Sequence, residues 1–217
     1  MKLKMNNIKN ILTTGSSHVN RILREYPGRA CAGISGGDID SAKEYFRKKS
    51  VHELALLERV ILIFGGNDLC KKGPGGKQLP NKSAEAVCQG LQDLARFVLA
   101  WVPNAEVTTT DPLPRNTEGG FANARSRLIS RHIVAQDQRH HHAPYIKNFL
   151  IISRVKASVT YRPKDLFYEG SDGVHLNATG YDALEMMVDW LVMGVRREGD
   201  RFDASVPGHS LSFNMKF

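Results

Sequence analysis

Apolar residues along this chain fall into short β-branched runs and longer stripes of helical period, and the alternation of the two predicts the architecture. Residues 8–14, Ile-Lys-Asn-Ile-Leu-Thr-Thr, have the content of a buried strand, and Gly15-Ser16-Ser17 breaks it. From His18 the spacing of Val19, Ile22, Leu23 and Tyr26 is helical, ending at Pro27-Gly28. Arg29 to Ile34 predicts a second strand, Ser35-Gly36-Gly37-Asp38 a turn, and Ile39 to Lys49 a helix capped by Asp38 or Ser41. The most apolar run, Arg59 to Phe64, predicts a central parallel strand covered on both faces, ended by Gly65-Gly66-Asn67-Asp68. The polar, Gly- and Lys-rich stretch Lys71 to Lys82 predicts a mobile loop. A helix from Ser83 to about Trp101 follows, striped by Ala86, Leu91, Leu94, Phe97 and Val98. A fourth strand, Ala105 to Thr110, stops at Asp111-Pro112-Leu113-Pro114-Arg115. A helix from about Gly120 to Asp137, a fifth strand at Phe149 to Ser153 and a last helix from Thr179 to about Val195 complete the pattern.

Five strands alternating with helices imply an α/β fold built on an open, mostly parallel five-stranded sheet with right-handed crossovers. No internal repeat and no dividing linker interrupts it, so residues 1–195 are expected to form one domain. Residues 196–217, polar and rich in Gly and Ser, are expected to be an irregular or disordered tail.

Composition adds limits on partners and compartment. With 217 residues, 41% of them hydrophobic, the chain can bury one sizeable core. Thirty Lys and Arg against 22 Asp and Glu leave a net charge of +8, which suits an acidic or nucleic-acid partner and equally suits plain solubility. If the basic segments Arg125 to Arg139 and Arg196-Arg197 form a patch, weak RNA or other polyanion binding through phosphates is expected. Cys31, Cys70 and Cys88 are odd in number and widely spaced, without a Cys-x-x-Cys pair, which fits a reducing intracellular compartment such as the cytoplasm. Lysines interrupt the apolar residues of the first ten positions, unlike a secretory signal, and no apolar run is long enough for a transmembrane segment.

The candidate chemistry centres on Ser171-Asp172-Gly173-Val174-His175-Leu176-Asn177. A carboxylate and an imidazole three residues apart can reach the same side of a turn or a first helical turn. Asp172 can then accept from one ring nitrogen of His175 and leave the other free as a general base. Alone, the same spacing also fits a capped helix start with a surface histidine. A base of this kind needs a nucleophile, and Ser17 in Gly15-Ser16-Ser17-His18 is available, with Asn67-Asp68 as a polar pair midway. Ser17 follows the first strand, Gly36 the second and Asn67 the third, while Asp172 and His175 precede the last helix. Every polar motif therefore falls where open parallel sheets gather function.

The order Ser, Gly, Asn, then Asp-x-x-His resembles the SGNH (GDSL-type) hydrolase family over roughly residues 8–193. The resemblance implies the flavodoxin-like three-layer α/β/α sandwich of that family. It also implies Ser17 as nucleophile, His175 as base, Asp172 as its orienting carboxylate, and an oxyanion hole from Ser17, Gly36 and Asn67. Ser16 departs from the family pattern, standing where an aspartate is usual. Gly-Ser-Ser-His-Val, Gly-Gly-Asn-Asp-Leu, Leu-Pro-Arg and Asp-Gly-Val-His-Leu-Asn look most like the esterase domains of retrotransposon first-frame proteins and the related Oskar C-terminal domain. The expectation is a serine esterase cleaving a carboxylic ester, acetyl or short acyl, with no metal and no cofactor. A nucleic-acid-binding module of the same fold with an idle pocket is the alternative.

Two further motifs lead elsewhere. Gly73-Pro74-Gly75-Gly76-Lys77-Gln78 lacks the spacing and the Ser or Thr of a phosphate loop. Arg139-His140-His141-His142, consecutive on a loop, cannot all converge on one ion and reads as a solvated surface.

Overall fold

The computed structural model describes residues 10–22, 29–110, 112, 113, 115, 122, 124, 125, 128, 129, 146–149, 174–178, 180, 181, 184, 185, 188, 202–206 and 209–213. Five strands form one sheet: β1 (Ile11–Ser16), β2 (Arg29–Ile34), β3 (Arg59–Ile63), β6 (Glu106–Thr110) and β7 (Ile146–Phe149). Their order is β2-β1-β3-β6-β7, and every pairing is parallel. The chain winds outward from β1 to β2, then returns to place β3 on the other side of β1. The C-terminal ends of β1 and β3 therefore flank the point where winding reverses, which is where an open α/β sheet forms its crevice.

Both faces of the sheet are covered. Leu12, Val60, Leu62, Phe64 and Val107 share a buried cluster with Ile39, Ala42 and Phe46 of α1 (Ile39–Arg47), Leu54 of α2 (Val51–Ala55), and Leu91, Leu94 and Val98 of α4 (Ala84–Trp101). Ile11, Ile61 and Ile63 alternate with the first set along their strands and are equally buried, which requires a second layer on the opposite face. Leu176, Leu184 and Val188 are buried outside the first cluster. The threonines of β1 and β6 are buried too. Thr14 donates its hydroxyl to the Ala32 carbonyl at 2.8 Å and Thr110 to the Leu62 carbonyl at 3.3 Å, so neighbouring strands satisfy these two hydroxyls, whereas that of Thr13 is buried without a partner among the described residues.

Local signals place the helix starts. Asp38 caps α1, its carboxylate accepting from the Ser41 N–H at 2.8 Å and the Ser41 hydroxyl at 2.7 Å. Ser83 caps α4 through the Ala86 N–H at 3.2 Å. Burial works against ionisation of Asp38, but the two bonds from Ser41 outweigh it and, with Lys82 nearby, hold its carboxyl below the ordinary 3.8. Asp38→Ala is expected to lower stability by about 1 kcal/mol at neutral pH, read as a lower urea midpoint. Because the folded pKa is depressed, this contribution is present above pH 3.8 and disappears as pH falls through the folded value. Variant and wild type should therefore converge in acid.

Several elements differ from the sequence expectation. β1 continues through Gly15 and Ser16, because parallel partners on both sides, Ser16 opposite Ile34 and Gly15 opposite Ile63, hold residues that break strands locally. The helix expected from His18 is a single 3-10 turn, Val19–Arg21, and Leu23 to Gly28 lie outside the described residues. His18 gives that turn no side-chain cap, its ring being engaged with Tyr181. α2 was not legible, though Ser50 and Glu53 form a reciprocal capping box at its start.

The expected loop at 71–82 is instead a small antiparallel hairpin, β4 (Cys70–Lys72) with β5 (Gln78–Pro80). Its tip, Gly73 to Lys77, closes through a 2.8 Å bond from the Gly73 N–H to the Lys77 carbonyl. β7 begins three residues before the expected fifth strand, because pairing with β6 from Val107 opposite Ile146 sets its register; residues 150–153 lie outside the described ones. Within the tail expected to be irregular, β8 (Phe202–Val206) pairs antiparallel with β9 (His209–Phe213). Pro207-Gly208 between them is a turn-forming pair, and the flanking segments alternate apolar and polar residues as strands do. The expected domain boundary at 195/196 and the segment Arg139 to His142 lie outside the described residues.

Candidate active site

Ser17 is the first residue past β1, half-buried in the turn before Val19. Its Oγ lies 3.4 Å from Nε2 of His175, a residue 158 positions away in sequence. That contact is loose for a hydrogen bond, as nucleophile–base pairs commonly are without substrate. With Nε2 toward Ser17, Nδ1 is the ring nitrogen left for an orienting carboxylate. Asp172, expected to supply it, lies outside the described residues. The helix start beside it is capped by Asn177, which accepts from the Gly180 N–H at 2.9 Å through its side chain and from the Tyr181 N–H at 2.9 Å through its carbonyl. Asn177 is therefore the N-cap of this helix.

The turn after β2 brings Gly36 and Gly37 to the same end of the sheet. Gly36 has a left-handed φ of +65°, and a Cβ there would meet nothing within 4 Å, so the position is open and the conformation alone favours glycine. The Gly37 N–H is committed to the Ile34 carbonyl at 2.8 Å. Asn67, in the short helix α3 (Gly66–Leu69) after β3, donates from Nδ2 to the Gly37 carbonyl at 2.8 Å. The turn after β2 and the helix after β3 are therefore joined by the Asn67 side chain.

Around these residues the structure adds groups to which sequence reasoning gave no role. His18 is buried, not a surface residue, and its Nδ1 lies 3.1 Å from the Tyr181 hydroxyl. Its ring centroid is 5.6 Å from that of His175, and the Arg21 guanidinium lies 5.5 Å from the Tyr181 ring centre. Tyr181 was legible only as a position within the expected last helix. Arg115, legible only as the end of Leu-Pro-Arg, is buried with its guanidinium on the Asn67 side-chain oxygen. Asp68 is fully buried; its carboxylate accepts from the Ile39 N–H at 3.1 Å and from Lys82 Nζ at 2.8 Å. Burial pushes the Cys70 and Cys88 thiols up, against the attraction of the Arg115 charge at Cys70 and a hydrogen bond from Gln92 at Cys88. Among the described residues no three His, Cys, Asp or Glu side chains group as a metal site, and no helix is long and apolar enough to cross a membrane.

A parallel α/β sheet at whose strand ends Ser17 meets His175 and Asn67 meets the turn after β2 has the fold of the SGNH hydrolases. The model of the GDSL-like lipase/acylhydrolase family matches residues 12–183, and the chain belongs to that family. No match was found among curated proteins. Solved structures share the fold. A GDSL-like lipase from Bacteroides thetaiotaomicron is similar with a TM-score of 0.59 and 17% identity, covering 87% of this chain and 89% of its own. A carbohydrate acetylesterase from Sinorhizobium meliloti has a TM-score of 0.58 and 16% identity, covering 87% and 100%. An inhibitor-bound aryl esterase from M. smegmatis has a TM-score of 0.60 and 14% identity, again covering 87% and 100%.

Proposed function

We propose that this protein is a serine esterase in which Ser17 is the nucleophile and His175 the general base. The observation that carries the reading is the approach of Ser17 Oγ to His175 Nε2 across 158 positions of sequence, at the switch point of the sheet. Ser17 Oγ attacks the ester carbonyl as its proton passes to Nε2. The resulting oxyanion is held by the N–H of Ser17, the N–H of Gly36 and the remaining N–H of the Asn67 amide. Gly36 is preferred to Gly37 as a donor because the Gly37 N–H already serves Ile34. Collapse breaks the ester C–O bond, and His175 returns its proton to the leaving alcohol. Water, deprotonated by His175, then attacks the acyl-enzyme, releasing the carboxylic acid and restoring Ser17. In this proposal Asp172 holds the Nδ1 proton of His175 and stabilises the imidazolium.

An acetyl or short acyl group is the proposed substrate, a choice in keeping with the acetylesterase among the similar structures. The kinship to retrotransposon first-frame esterase domains rests on the four sequence motifs alone. The expectation of RNA binding rests on the net charge of +8 and the basic segments Arg125 to Arg139 and Arg196-Arg197, and draws nothing from this site. A reducing compartment is proposed from the unpaired cysteines, including the exposed Cys31. Labelling with a fluorophosphonate probe followed by peptide mapping is expected to place the adduct on Ser17. An adduct on Ser16, or none at all, sinks the assignment.

A further inference from the structure

Arg115 follows β6 and its side chain is 4% exposed. It lies behind Asn67, where its Nη2 donates to Asn67 Oδ1 at 2.5 Å and its Nη1 to Gln78 Oε1 of the β4–β5 hairpin at 3.1 Å. A Cβ on Gly66 would stand 2.9 Å from Nη2 and 3.1 Å from Nε, so the guanidinium fits against the start of α3 because residue 66 has no side chain. On its other side Asn67 donates from Nδ2 to the Gly37 carbonyl at 2.8 Å.

The donor and acceptor inventory makes this arrangement directional. Arginine only donates, whereas a carboxamide accepts at its oxygen and donates twice from its nitrogen. The oxygen end of Asn67 must therefore face Arg115, and the nitrogen end must face the Gly36-Gly37 turn. One amide hydrogen goes to the Gly37 carbonyl, and the second is left for an oxyanion beside Gly36. Without Arg115 the amide could rotate about its last torsion, which is soft and roughly two-fold, and present its oxygen to the developing negative charge instead.

We propose that Arg115 is the positioning residue of the oxyanion hole. It fixes which end of the Asn67 amide faces the cleft, and its buried charge on Oδ1 polarises the amide so that the free N–H donates more strongly. Gln78 ties the same guanidinium to the hairpin, so Gly37, Asn67, Arg115 and the hairpin form one connected chain of hydrogen bonds. This inference rests on the esterase reading above.

The test is a double-mutant cycle read with p-nitrophenyl acetate, using wild type, Asn67→Ala, Arg115→Met, Arg115→Lys and the two double variants, each with its urea midpoint. Asn67→Ala is expected to lower kcat about 100-fold, as loss of one oxyanion donor does. Arg115→Met is expected to lower kcat about 10- to 100-fold with KM nearly unchanged, through misplacement of that donor. Arg115→Lys keeps the charge but loses the planar fork, and should fall between it and wild type. In the Asn67→Ala background either Arg115 variant should add little, because Arg115 acts through Asn67. Losses that multiply in the double variants, or that merely follow the urea midpoint, overturn the proposal. Should Arg115→Met not fold, the Arg115→Lys cycle decides by the same criterion. A wild type without turnover, or one indifferent to Ser17→Ala, removes the esterase reading itself. A Ser17-dependent wild type whose kcat is unmoved by the Arg115 variants removes only this inference.

Discussion

Ser17→Ala is expected to abolish p-nitrophenyl acetate turnover, with a fall of about 10⁴-fold or more in kcat, because it removes the oxygen that forms the acyl-enzyme. The neighbouring serine supplies the control. Ser16 is the last residue of β1, paired with Ile34 and 7% exposed, whereas Ser17 stands in the turn beyond the strand with His175 Nε2 at 3.4 Å. Ser16→Ala should therefore retain most activity, and the opposite pattern would move the nucleophile by one residue. His175→Ala should be nearly as damaging as Ser17→Ala, and the double variant no worse than either, since nucleophile and base act as a unit. Asp172→Ala should be milder, because an orienting carboxylate contributes through His175. Near wild-type rates in His175→Ala would remove His175 from the mechanism.

Asp68→Ala is expected to produce the largest loss of stability near the site, about 2–3 kcal/mol by urea denaturation. Its carboxylate is fully buried and accepts from the Ile39 N–H at the start of α1 and from Lys82 Nζ, so it binds three segments at one point. Removal leaves both donors without that acceptor. The loss stays below that of a wholly buried pair because the Lys82 side chain is 40% exposed and water can serve it. Asp68→Asn keeps an acceptor for Ile39 and should lose less.

The Lys82 end sets the pH behaviour. The hydrogen bond to Asp68 raises its pKa above 10.5 against the opposing effect of burial, with attraction to Asp68, Asp40 and Asp38 adding to the rise. A raised folded pKa means the contribution is present below pH 10.5 and is lost as pH climbs through the folded value. Wild type and Asp68→Ala should therefore draw together in stability at alkaline pH. A constant difference between them across that range would show that Asp68 does not raise the Lys82 pKa.

Strand and helix succession was legible along the chain wherever pattern and cap signals were strong. The apolar run from Arg59 to Phe64 contains the central strand β3, Ser83 caps α4 and the stripe to Val98 lies within it, and Asp38 caps α1. Each depends on contacts within a few residues, or on burial that a composition run reveals directly. The ordered serine, glycine, asparagine and histidine were legible because each follows or precedes an element whose end a local breaker marks. What lay beyond reach were features decided by distant neighbours. β1 extends past its glycine because β2 and β3 pair with it on both sides, and β7 starts early because β6 sets its register. The hairpin at Cys70–Pro80 looked like a loop because its polar residues carry no burial signal, and its stability comes from pairing rather than pattern. Long-range folding brings Arg115 to Asn67 across 48 positions and packs His18 inward on Tyr181 across 163. Such contacts follow from the stacking of strand ends at the switch point, a geometry that no local spacing encodes.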